Sequence, residues 1–549
     1  MAHLVSPTQV IAVTAVLIAT TFLYTRLYHR RFKQNAHLPQ LPSSLFWGHL
    51  AVFNDFIKRG SQDRHPDAVF AEMHEALGKP DIFLVDNWPV VPPMAIVASH
   101  EVAEQVSHPS KLFQYSAPKS SSLDPIISLI GPKSILRKQN EEWKEVRRRF
   151  NPGFAPQHLM SLLPVIVAKC KRYIEILDHY ARSGAPFPLD QPTTNLTFDI
   201  IGAVTMGEDM NAQHLDTTLQ GQLIIMVKKL LKTYADDKLQ LPWWLAPRLW
   251  VKRHRLGLRI SQDLRPIVRR NFEEMKSVNG GEASNSRSRS VLALSLIDVE
   301  VLTPEIMEET CDQLKTFLFA GHDTTSTTII WSIYELLRTP RALDAVNSEL
   351  DRLFGPRDAD ASGNIIREKL LGPGGQELVH RMMYISAVIK EVLRLHPPAG
   401  SIRTSYPGTG FVVSTKQGEY NLDGDWIYLN HNIMGRDRAV FGDTADDFVP
   451  ERWLDDSPAC PASAWRPFER GPRNCIGQEL ANIEARVILA MLTRRYEFSK
   501  VGLGEFALGQ DGQPLLDNKG RRKVKSELYS TIQISGKPVD AMMMKVKLY

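Results

Sequence analysis

A cysteine in a glycine- and arginine-rich loop is the feature of this sequence with the clearest chemistry. Cys475 lies in the run FERGPRNCIG, residues 468–477, and an apolar helical pattern begins directly after it. Backbone N–H groups and the helix dipole favour a thiolate at a helix N-terminus, which predicts a lowered pKa and a metal ligand. Gly471 and Gly477 let the backbone turn sharply and approach a flat ligand. The alternative is an inert buried thiol, because free cysteines are commonly buried.

A second candidate site lies in the middle of a long helical pattern, in the run AGHDTT, residues 320–325. Ala320 and Gly321 are small enough to leave room for a ligand against the helix. The Thr324 hydroxyl can bond the carbonyl four residues back and open a groove, and Asp323 supplies a protonatable group beside it. His322 is rotated about a quarter turn from Asp323 and is expected to pack or to line the pocket rather than to bind a metal. The alternative is a core helix kinked by its glycine.

Two further pairs have helical spacing. Trp143 and Arg147 lie four residues apart, share a helix face and can clamp one acidic group. Glu391 and Arg394 lie three apart, which an ordinary solvated ion pair would also explain.

These motifs, in this order along the chain, resemble those of the cytochrome P-450 superfamily. FERGPRNCIG resembles the haem-binding signature, which implies haem b with Cys475 as the axial thiolate ligand. AGHDTT resembles the oxygen-binding groove, which implies that Asp323 and Thr324 deliver the protons that cleave the O–O bond. Glu391, Arg394 and Arg452 resemble the Glu-Arg-Arg triad, a structural lock. The other residues implied to contact the cofactor are Phe468, Arg473, Gly477, Trp143, Arg147, Arg403, Ala320 and Gly321.

The elements that must position these residues are mostly helical. Helical periodicity is strong over Glu141–Phe150, Leu159–Ser183, Thr217–Thr233, Pro304–Arg338, Ala342–Phe354, Met382–Leu395 and Gln478–Thr493. Strand patterns are short: Ile82–Val85, Met94–Ala98, Phe411–Ser414 and Trp426–Leu429 predict one small sheet, and Thr531–Ile534 another edge. The expected class is therefore mainly α with small β-sheets, which the resemblance makes the P-450 fold, after an N-terminal transmembrane helix.

The N-terminus predicts a membrane anchor. No charged side chain occurs from Val5 to Thr25, and Arg26, Arg30 and Arg31 follow. By the positive-inside rule this predicts a single-pass signal anchor in the endoplasmic reticulum membrane, with the catalytic domain facing the cytosol. A cleaved signal peptide is the alternative. The predicted organisation is an anchor over residues 1–25, a basic flank and proline-containing linker over 26–44, and a haem-thiolate catalytic domain over 45–549.

A tryptophan-rich stretch predicts a second membrane contact. Pro242–Trp250 is followed by four basic residues, 252–255, a composition typical of surfaces in lipid headgroups. A packed loop between helices is the alternative. The resemblance places this stretch over the substrate entrance, so a lipophilic substrate would enter from the bilayer.

Bulk composition excludes several other classes. A net charge of +5 without an interleaved basic and aromatic patch does not indicate nucleic-acid binding. The four cysteines are scattered, which disfavours a zinc site or a disulfide scaffold. The run Gly372-Pro373-Gly374-Gly375 lacks the spacing of a dinucleotide fingerprint, so electrons must come from a separate protein. The resemblance implies that this partner is a membrane-bound NADPH-cytochrome P-450 reductase.

The resulting interpretation is a membrane-anchored monooxygenase that inserts one oxygen atom of O2 into a lipophilic small molecule by hydroxylation or epoxidation. Runs such as RRRFNPGF, residues 147–154, look most like fungal enzymes of secondary metabolism. Two alternatives remain at this point: an oxygen-independent rearrangement enzyme, against which Asp323 and Thr324 speak, and a non-catalytic membrane haem carrier or sensor.

Overall fold

The computed structural model describes residues 7–237, 244–277, 289–357, 364–454 and 460–549. The chain divides into two compact units. Unit 1 holds residues 1–62, 66–118 and 401–434, and unit 2 holds residues 63–65, 119–400 and 435–549.

The helices, in chain order, are α1 Pro7–His29, α2 Leu50–Ile57, α3 Pro66–Ala76, α4 His100–Ser107, α5 Ile127–Ile130, α6 Asn140–Phe150, α7 Pro156–Ser161, α8 Leu163–Ser183, α9 Asp190–Met206, α10 Gln222–Ala235, α11 Pro247–Ser277, α12 Val291–Ser295, α13 Pro304–Arg338, α14 Pro340–Phe354, α15 Ile365–Leu371, α16 Gly375–His380, α17 Met383–Leu395, α18 His431–Met434, α19 Arg438–Phe441 and α20 Gln478–Arg495. The strands are β1 Ile82–Val85, β2 Met94–Val97, β3 Phe187–Pro188, β4 Ser401–Thr404, β5 Val412–Thr415, β6 Gly418–Asn421, β7 Trp426–Leu429, β8 Tyr496–Lys500, β9 Ser530–Ile532, β10 Gly536–Pro538 and β11 Met543–Leu548. The class is mainly α with small sheets, as predicted.

Unit 1 is built on a four-stranded sheet of order β1-β2-β7-β4. Strands β1 and β2 are antiparallel, β2 and β7 are parallel with Met94 opposite Trp426, and β7 and β4 are antiparallel. The prediction that Phe411–Ser414 joins this sheet is wrong. Among the described strands, the one there, β5, pairs only with β6 in a separate hairpin, and the edge is taken by β4. The short polar sequence SIRT of β4 gives no clear strand pattern.

Unit 2 is organised around α13, which packs against α9, α11, α17 and α20. The bounds of α13 match the predicted ones because its ends are encoded locally. The Thr303 hydroxyl caps the first turn by accepting from the Ile306 N–H, and Pro304 occupies the first turn, where no N–H is needed. Pro340 follows the last turn and begins the next helix.

Two of the predicted helices are interrupted, and several helices were not predicted, of which α9 and α11 are the longest. The pattern over Leu159–Ser183 is divided at Leu162, with Pro164 in the first turn of α8. The pattern over Thr217–Thr233 is a 3₁₀ turn followed by α10. Helices α9 and α11 were missed. In α9 most residues are buried on all sides, so no polar face generates a 3.6-residue period.

The N-terminal helix extends beyond its predicted boundary at residue 25. Helix α1 continues to His29, and a π-helical segment follows over Arg30–Gln34. Among the described residues, Thr8–Gln34 is the one helical stretch long and apolar enough to cross a membrane, and its apolar part is not buried in the protein. Residues 1–6 of the predicted anchor lie outside the described residues.

Candidate functional site

The Cys475 loop lies in unit 2 directly before α20. The Cys475 N–H donates to the Phe468 carbonyl over 2.8 Å, which closes residues 468–475 into a hairpin. Gly471 has a φ of 74°, a left-handed conformation that favours glycine. Gly477 has a φ of −88°, and a Cβ there would lie 3.9 Å from the Cys475 Sγ, an ordinary contact. The predicted sharp turn at a glycine is therefore confirmed at position 471 and wrong at position 477, and the close approach of Gly477 to a flat ligand stays a prediction.

The prediction of a lowered thiol pKa is also wrong. Burial by the surrounding protein raises the pKa of Cys475 above its ordinary value. The backbone N–H groups of Gly477 and Gln478 and the charges of Arg147 and Lys119 lower it, but they do not offset the burial. The N–H groups at the start of α20 thus lower the pKa of Cys475 as predicted. Desolvation raises it by more, and the sequence alone does not show how strongly a group is desolvated. A bound metal cation would supply the missing stabilisation of the thiolate.

The other three cysteines are poor ligand candidates. Cys170 and Cys311 are buried, and burial raises the pKa of each to about 12. Cys460 is half-buried beside a small apolar cluster that includes Phe441. Among the four cysteines, Cys475 is the one whose residue is exposed, although enough protein atoms surround its sulfur to desolvate the thiolate.

Trp143 and Arg147, the two α6 residues that were predicted to share a helix face, both contact the Cys475 loop. The Arg473 guanidinium lies 5.0 Å from the centroid of the buried Trp143 ring and donates to Gln139 Oε1 over 2.7 Å. Arg147 donates to the Asn474 carbonyl over 2.7 Å and to its Oδ1 over 3.0 Å. These two residues therefore hold the loop itself, and an additional contact with a cofactor carboxylate stays a prediction.

Sequence reasoning missed Gln139, Asn474 and Lys119 in this cluster. Asn474 lies inside the loop, so the neighbouring cysteine was a signal that could have found it. Gln139 and Lys119 belong to no motif. They reach the cluster only through the fold, since Gln139 also bonds the Lys119 backbone.

Phe468 and Arg403 have protein partners of their own. The Phe468 ring packs on Trp465 with ring centroids 5.8 Å apart. Arg403 is fully buried in unit 1, on β4, where it donates to Ser116 Oγ over 3.1 Å and to the Ala117 carbonyl over 3.3 Å. A place for either side chain at a cofactor stays a prediction.

The middle of α13 carries an open face in a largely buried helix. Ala320 is exposed and Thr324, one turn later, is half-buried. The Thr324 hydroxyl donates to the Ala320 carbonyl over 2.9 Å, as predicted from its position. These two residues therefore present a small, polar-edged surface to a ligand.

Gly321 does not belong to that open face. A Cβ at this position would lie 2.7 Å from Cδ1 of Ile201 on α9. The absent side chain allows α13 and α9 to approach closely, so the prediction that Gly321 leaves room for a ligand is wrong. His322 is buried and stacks on Phe198 at 3.8 Å between ring centroids, in line with its predicted packing role.

Asp323 belongs to a buried network of charges. Its carboxylate accepts from the Ser535 hydroxyl and pairs with Lys537 Nζ at 2.8 Å. Lys537 also donates to Asp190 Oδ1 over 2.9 Å, at the start of α9. Burial raises the pKa of Asp323, but the Lys537 ammonium and the neighbouring donors hold it below its ordinary value. Asp323 is thus ionised and aimed at Ser535 and Lys537. The sequence analysis predicted no role for Ser535, Lys537 or Asp190 in this network.

His322 remains neutral beside this network. Burial lowers the pKa of His322 to about 4, although the Asp323 carboxylate raises it. Lys537 therefore supplies the positive charge that balances the carboxylates of Asp190 and Asp323. These two carboxylates raise the pKa of Lys537, although burial lowers it.

The predicted triad is formed in unit 2. Arg394 donates to Glu391 through Nε at 2.9 Å and Nη2 at 2.7 Å, and Arg452 Nε donates to Glu391 Oε1 over 3.0 Å. Trp453 Nε1 donates to the same carboxylate over 2.8 Å. The side chains of Glu391 and Arg394 are fully buried, so the solvated ion pair is excluded and a structural lock is supported.

Comparisons with known proteins agree with this arrangement. The cytochrome P450 family model matches residues 46–517. A cytochrome P450 monooxygenase, acrF, of Aspergillus aculeatus is 32% identical over 465 residues, which cover 80% of this chain and 89% of that protein. A second one, polC, of Polytolypa hystricis is 30% identical over 497 residues, 88% of this chain and 85% of that protein.

A solved structure supports the same fold. The crystal structure of the cytochrome P450 CYP102L1 superposes with a TM-score of 0.66 at 18% identity, over 88% of this chain and 98% of that one. The cofactor implied by family and fold is haem b with a cysteine thiolate as axial ligand. On the match over most of its length, this chain belongs to the cytochrome P450 family of monooxygenases.

Proposed function

We propose that this protein is a membrane-anchored haem-thiolate monooxygenase in which Cys475 is the axial ligand. It inserts one oxygen atom of O2 into a lipophilic small molecule by hydroxylation or epoxidation. The observation that carries the proposal is the geometry of Cys475. Cys475 is the exposed residue among the four cysteines, and two backbone N–H groups at the start of α20 bond to its sulfur.

The residues around Cys475 fit haem b. A thiolate next to helix N–H donors is a suitable iron ligand, because those donors tune the charge on sulfur. The two propionates of haem b are anionic, and the cations Arg147, Arg473 and Lys119 lie around the loop. Trp143, Arg147 and Arg473 would hold the propionates, with Arg403 as a further partner. Phe468, Gly477 and Ala320 would contact the ring.

Haem b, when bound, supplies the iron at which O2 is activated. The side chains of this protein bind and orient the substrate, exclude water and move protons. Thr324 Oγ1, on the open face of α13, donates its proton to the Ala320 carbonyl and can accept a hydrogen bond from a ligand or water there; to donate to a ligand the hydroxyl must rotate away from that carbonyl. The Asp323 carboxylate is ionised and can accept a proton through Ser535 before passing one on. Among the described residues no side-chain hydrogen bond joins Asp323 to Thr324, so this relay requires a water or a rotation of Asp323.

The location and partners follow from the anchor and the family. We infer an anchor over residues 1–25, a linker over 26–44 and a catalytic domain over 45–549, with that domain on the cytosolic face of the endoplasmic reticulum. The electron donor is a separate NADPH-cytochrome P-450 reductase. The fungal relatives and the proposed location at the membrane support a lipophilic substrate from secondary metabolism. Trp244 and Leu245 are more than half exposed, which supports substrate entry from the bilayer, while Pro242 and Trp243 lie outside the described residues.

The carbon monoxide difference spectrum of the reduced protein tests this proposal. We expect a red-shifted Soret band for the wild type and its loss in Cys475→Ala, because only a thiolate ligand produces it. Cys460→Ala is the matched control and should keep the band. Haem bound without the band in folded wild-type protein would refute the ligand assignment. Absence of NADPH oxidation with reductase and any lipophilic ligand would favour a haem carrier instead.

A further inference from the structure

A buried lysine between two carboxylates joins β10 to both α9 and α13. Lys537 Nζ lies 2.8 Å from Asp323 Oδ1, and 2.9 Å and 3.1 Å from the two carboxylate oxygens of Asp190. The Lys537 side chain is 8% exposed, so its ammonium depends on protein partners for stabilisation. Because it has two such partners, one carboxylate can leave while the ammonium stays paired with the other.

The strand that carries Ser535 and Lys537 is fixed by its backbone. Between these two residues the Gly536 N–H donates to the Pro398 carbonyl over 2.9 Å. Ile534, just before them, has a φ of 108°, which is costly for a β-branched residue and persists only where the surrounding structure enforces it. The side chain of this network that can move is therefore the carboxylate on α13.

Asp190 is oriented toward Lys537 independently of Asp323. It is the first residue of α9, and its Oδ1 accepts from the Thr194 hydroxyl, one turn later, over 3.2 Å. Among the described residues, the titratable groups facing Asp323 are His322, whose Nε2 lies 3.9 Å from Oδ1, Lys537 and, beyond it, Asp190. His322 is neutral, so Lys537 is the charge from which Asp323 must separate.

Proton delivery to the open face of α13 requires that separation. Asp323 is ionised and aimed at Lys537 and Ser535, so it must first take a proton from water and then turn. The turned carboxyl gives this proton to Thr324 Oγ1, which passes its own proton to the ligand once its hydroxyl has rotated from the Ala320 carbonyl. The carboxylate formed in this way returns to Lys537. Without a second carboxylate, each turn would leave a buried ammonium unpaired, which is costly.

We propose that Asp190 is a positioning residue for proton delivery, because it holds Lys537 while Asp323 turns toward Thr324. The inference rests on the monooxygenase function proposed above and gives a role to a residue of α9 that this function does not otherwise use. Asp190 acts through Lys537 and is not itself a catalytic residue.

Urea unfolding of the haem-loaded full chain tests whether Asp190 alone can hold Lys537. Asp323→Asn should lower the unfolding midpoint more in the Asp190→Asn background than in the wild type, because only the double variant leaves the buried ammonium without a carboxylate. Asp178→Asn is the matched control, since Asp178 is 17% exposed and pairs with Arg495 elsewhere in unit 2. In that background Asp323→Asn should cost as much as in the wild type. Asp190→Ser replaces Asp190→Asn if the latter does not fold.

The rate of proton delivery is measured with hydrogen peroxide as the oxidant and guaiacol as the reporter, which peroxide oxidises as it is reduced to water. We expect guaiacol oxidation to fall about tenfold in Asp190→Asn, which corresponds to about one unit in the pKa of Asp323, now held by an unshared ammonium. The solvent deuterium isotope effect should rise, because proton transfer becomes slower than the other steps. Asp190→Glu should restore both values, and Asp178→Asn should change neither.

The outcomes separate this inference from the proposed function. Additive effects of Asp190→Asn and Asp323→Asn on the midpoint would overturn the role of Asp190. An unchanged rate and isotope effect in Asp190→Asn, or an equal fall in rate in Asp178→Asn, would do the same. The carbon monoxide difference spectrum of each variant is recorded first. A folded wild type that binds haem without the thiolate band would refute the proposed function instead, and equal bands in all variants show that the changes in rate do not come from lost haem.

Discussion

Replacing Lys537 by methionine should lower the free energy of unfolding and reverse the pH dependence that Asp323 gives to it. Lys537 is the cation between Asp323 and Asp190, and its side chain is 8% exposed. Methionine keeps most of the aliphatic stem and removes the charge. Breaking a buried pair by removing one partner costs about 3–5 kcal/mol. We expect about 3 kcal/mol, because Asp190 is 16% exposed and Asp323 can take up a proton.

The pH dependence follows from the direction of the pKa shift. In the wild type the pKa of Asp323 is lowered, so its contribution to stability is present above the unfolded pKa of about 3.9 and is lost as pH falls through the folded value. Without Lys537, burial dominates and raises the folded pKa. The variant should then be most stable at low pH and lose stability as pH rises from about 4 toward the new folded pKa.

The assay is urea unfolding of the full chain in detergent between pH 4 and pH 7, followed by circular dichroism. The midpoint difference between wild type and Lys537→Met should grow as pH rises. Asp323→Asn should cost less in the Lys537→Met background than in the wild type, because the unpaired charge is then removed. Lys547→Met is the matched control, since Lys547 is 65% exposed and its pair with Glu497 is on the surface. A midpoint difference that is constant with pH, together with additive effects of the two substitutions, would refute the network.

Three further predictions address packing and buried charge elsewhere in unit 2. Arg394→Met should cost about 3–5 kcal/mol by leaving the Glu391 carboxylate uncompensated, whereas Arg438→Met, which removes a 65% exposed partner of Asp446, should change the unfolding midpoint little. Gly321→Ala should destabilise by about 1–3 kcal/mol because its Cβ meets Ile201, and the second substitution Ile201→Val should recover part of the loss in thermal unfolding. Glu484 is buried, and burial raises its pKa well above the ordinary value. Its contribution to the free energy of unfolding therefore falls as pH rises past about 4, and Glu484→Gln should be increasingly stabilising toward neutral pH. A difference in unfolding midpoint that does not change with pH would contradict this.

Local signals in the sequence were sufficient to identify the motifs and to predict the bounds of α13, the helix around which unit 2 is organised. The bounds of α13 were predictable because Thr303, Pro304 and Pro340 act on the backbone next to them. The membrane-length helix was predictable because hydrophobicity over about 20 residues is a property of the segment alone. Its end was not, because no helix breaker occurs between Thr25 and Gln34, and Arg31 in the segment that follows α1 is held by Leu45 and Asp86, which are distant in the sequence.

Other features depend on residues that are distant in the sequence. Helix α9 has no polar face to mark it, because tertiary packing buries most of it. The reason for a glycine at position 321 is Ile201 on α9, and no pattern around Gly321 contains that information.

The sequence by itself determined the family motifs, the ligand candidate Cys475, the candidate groove residues Ala320 and Thr324, and the apolar span, since each depends on residue types at short spacing. Only the tertiary structure decided the electrostatics. Ser535 lies 212 positions from Asp323, and burial, not the helix terminus, sets the direction of the Cys475 pKa shift. The physical reason is that desolvation and ion pairing depend on every atom packed around a group, and those atoms come from elements that are remote along the chain.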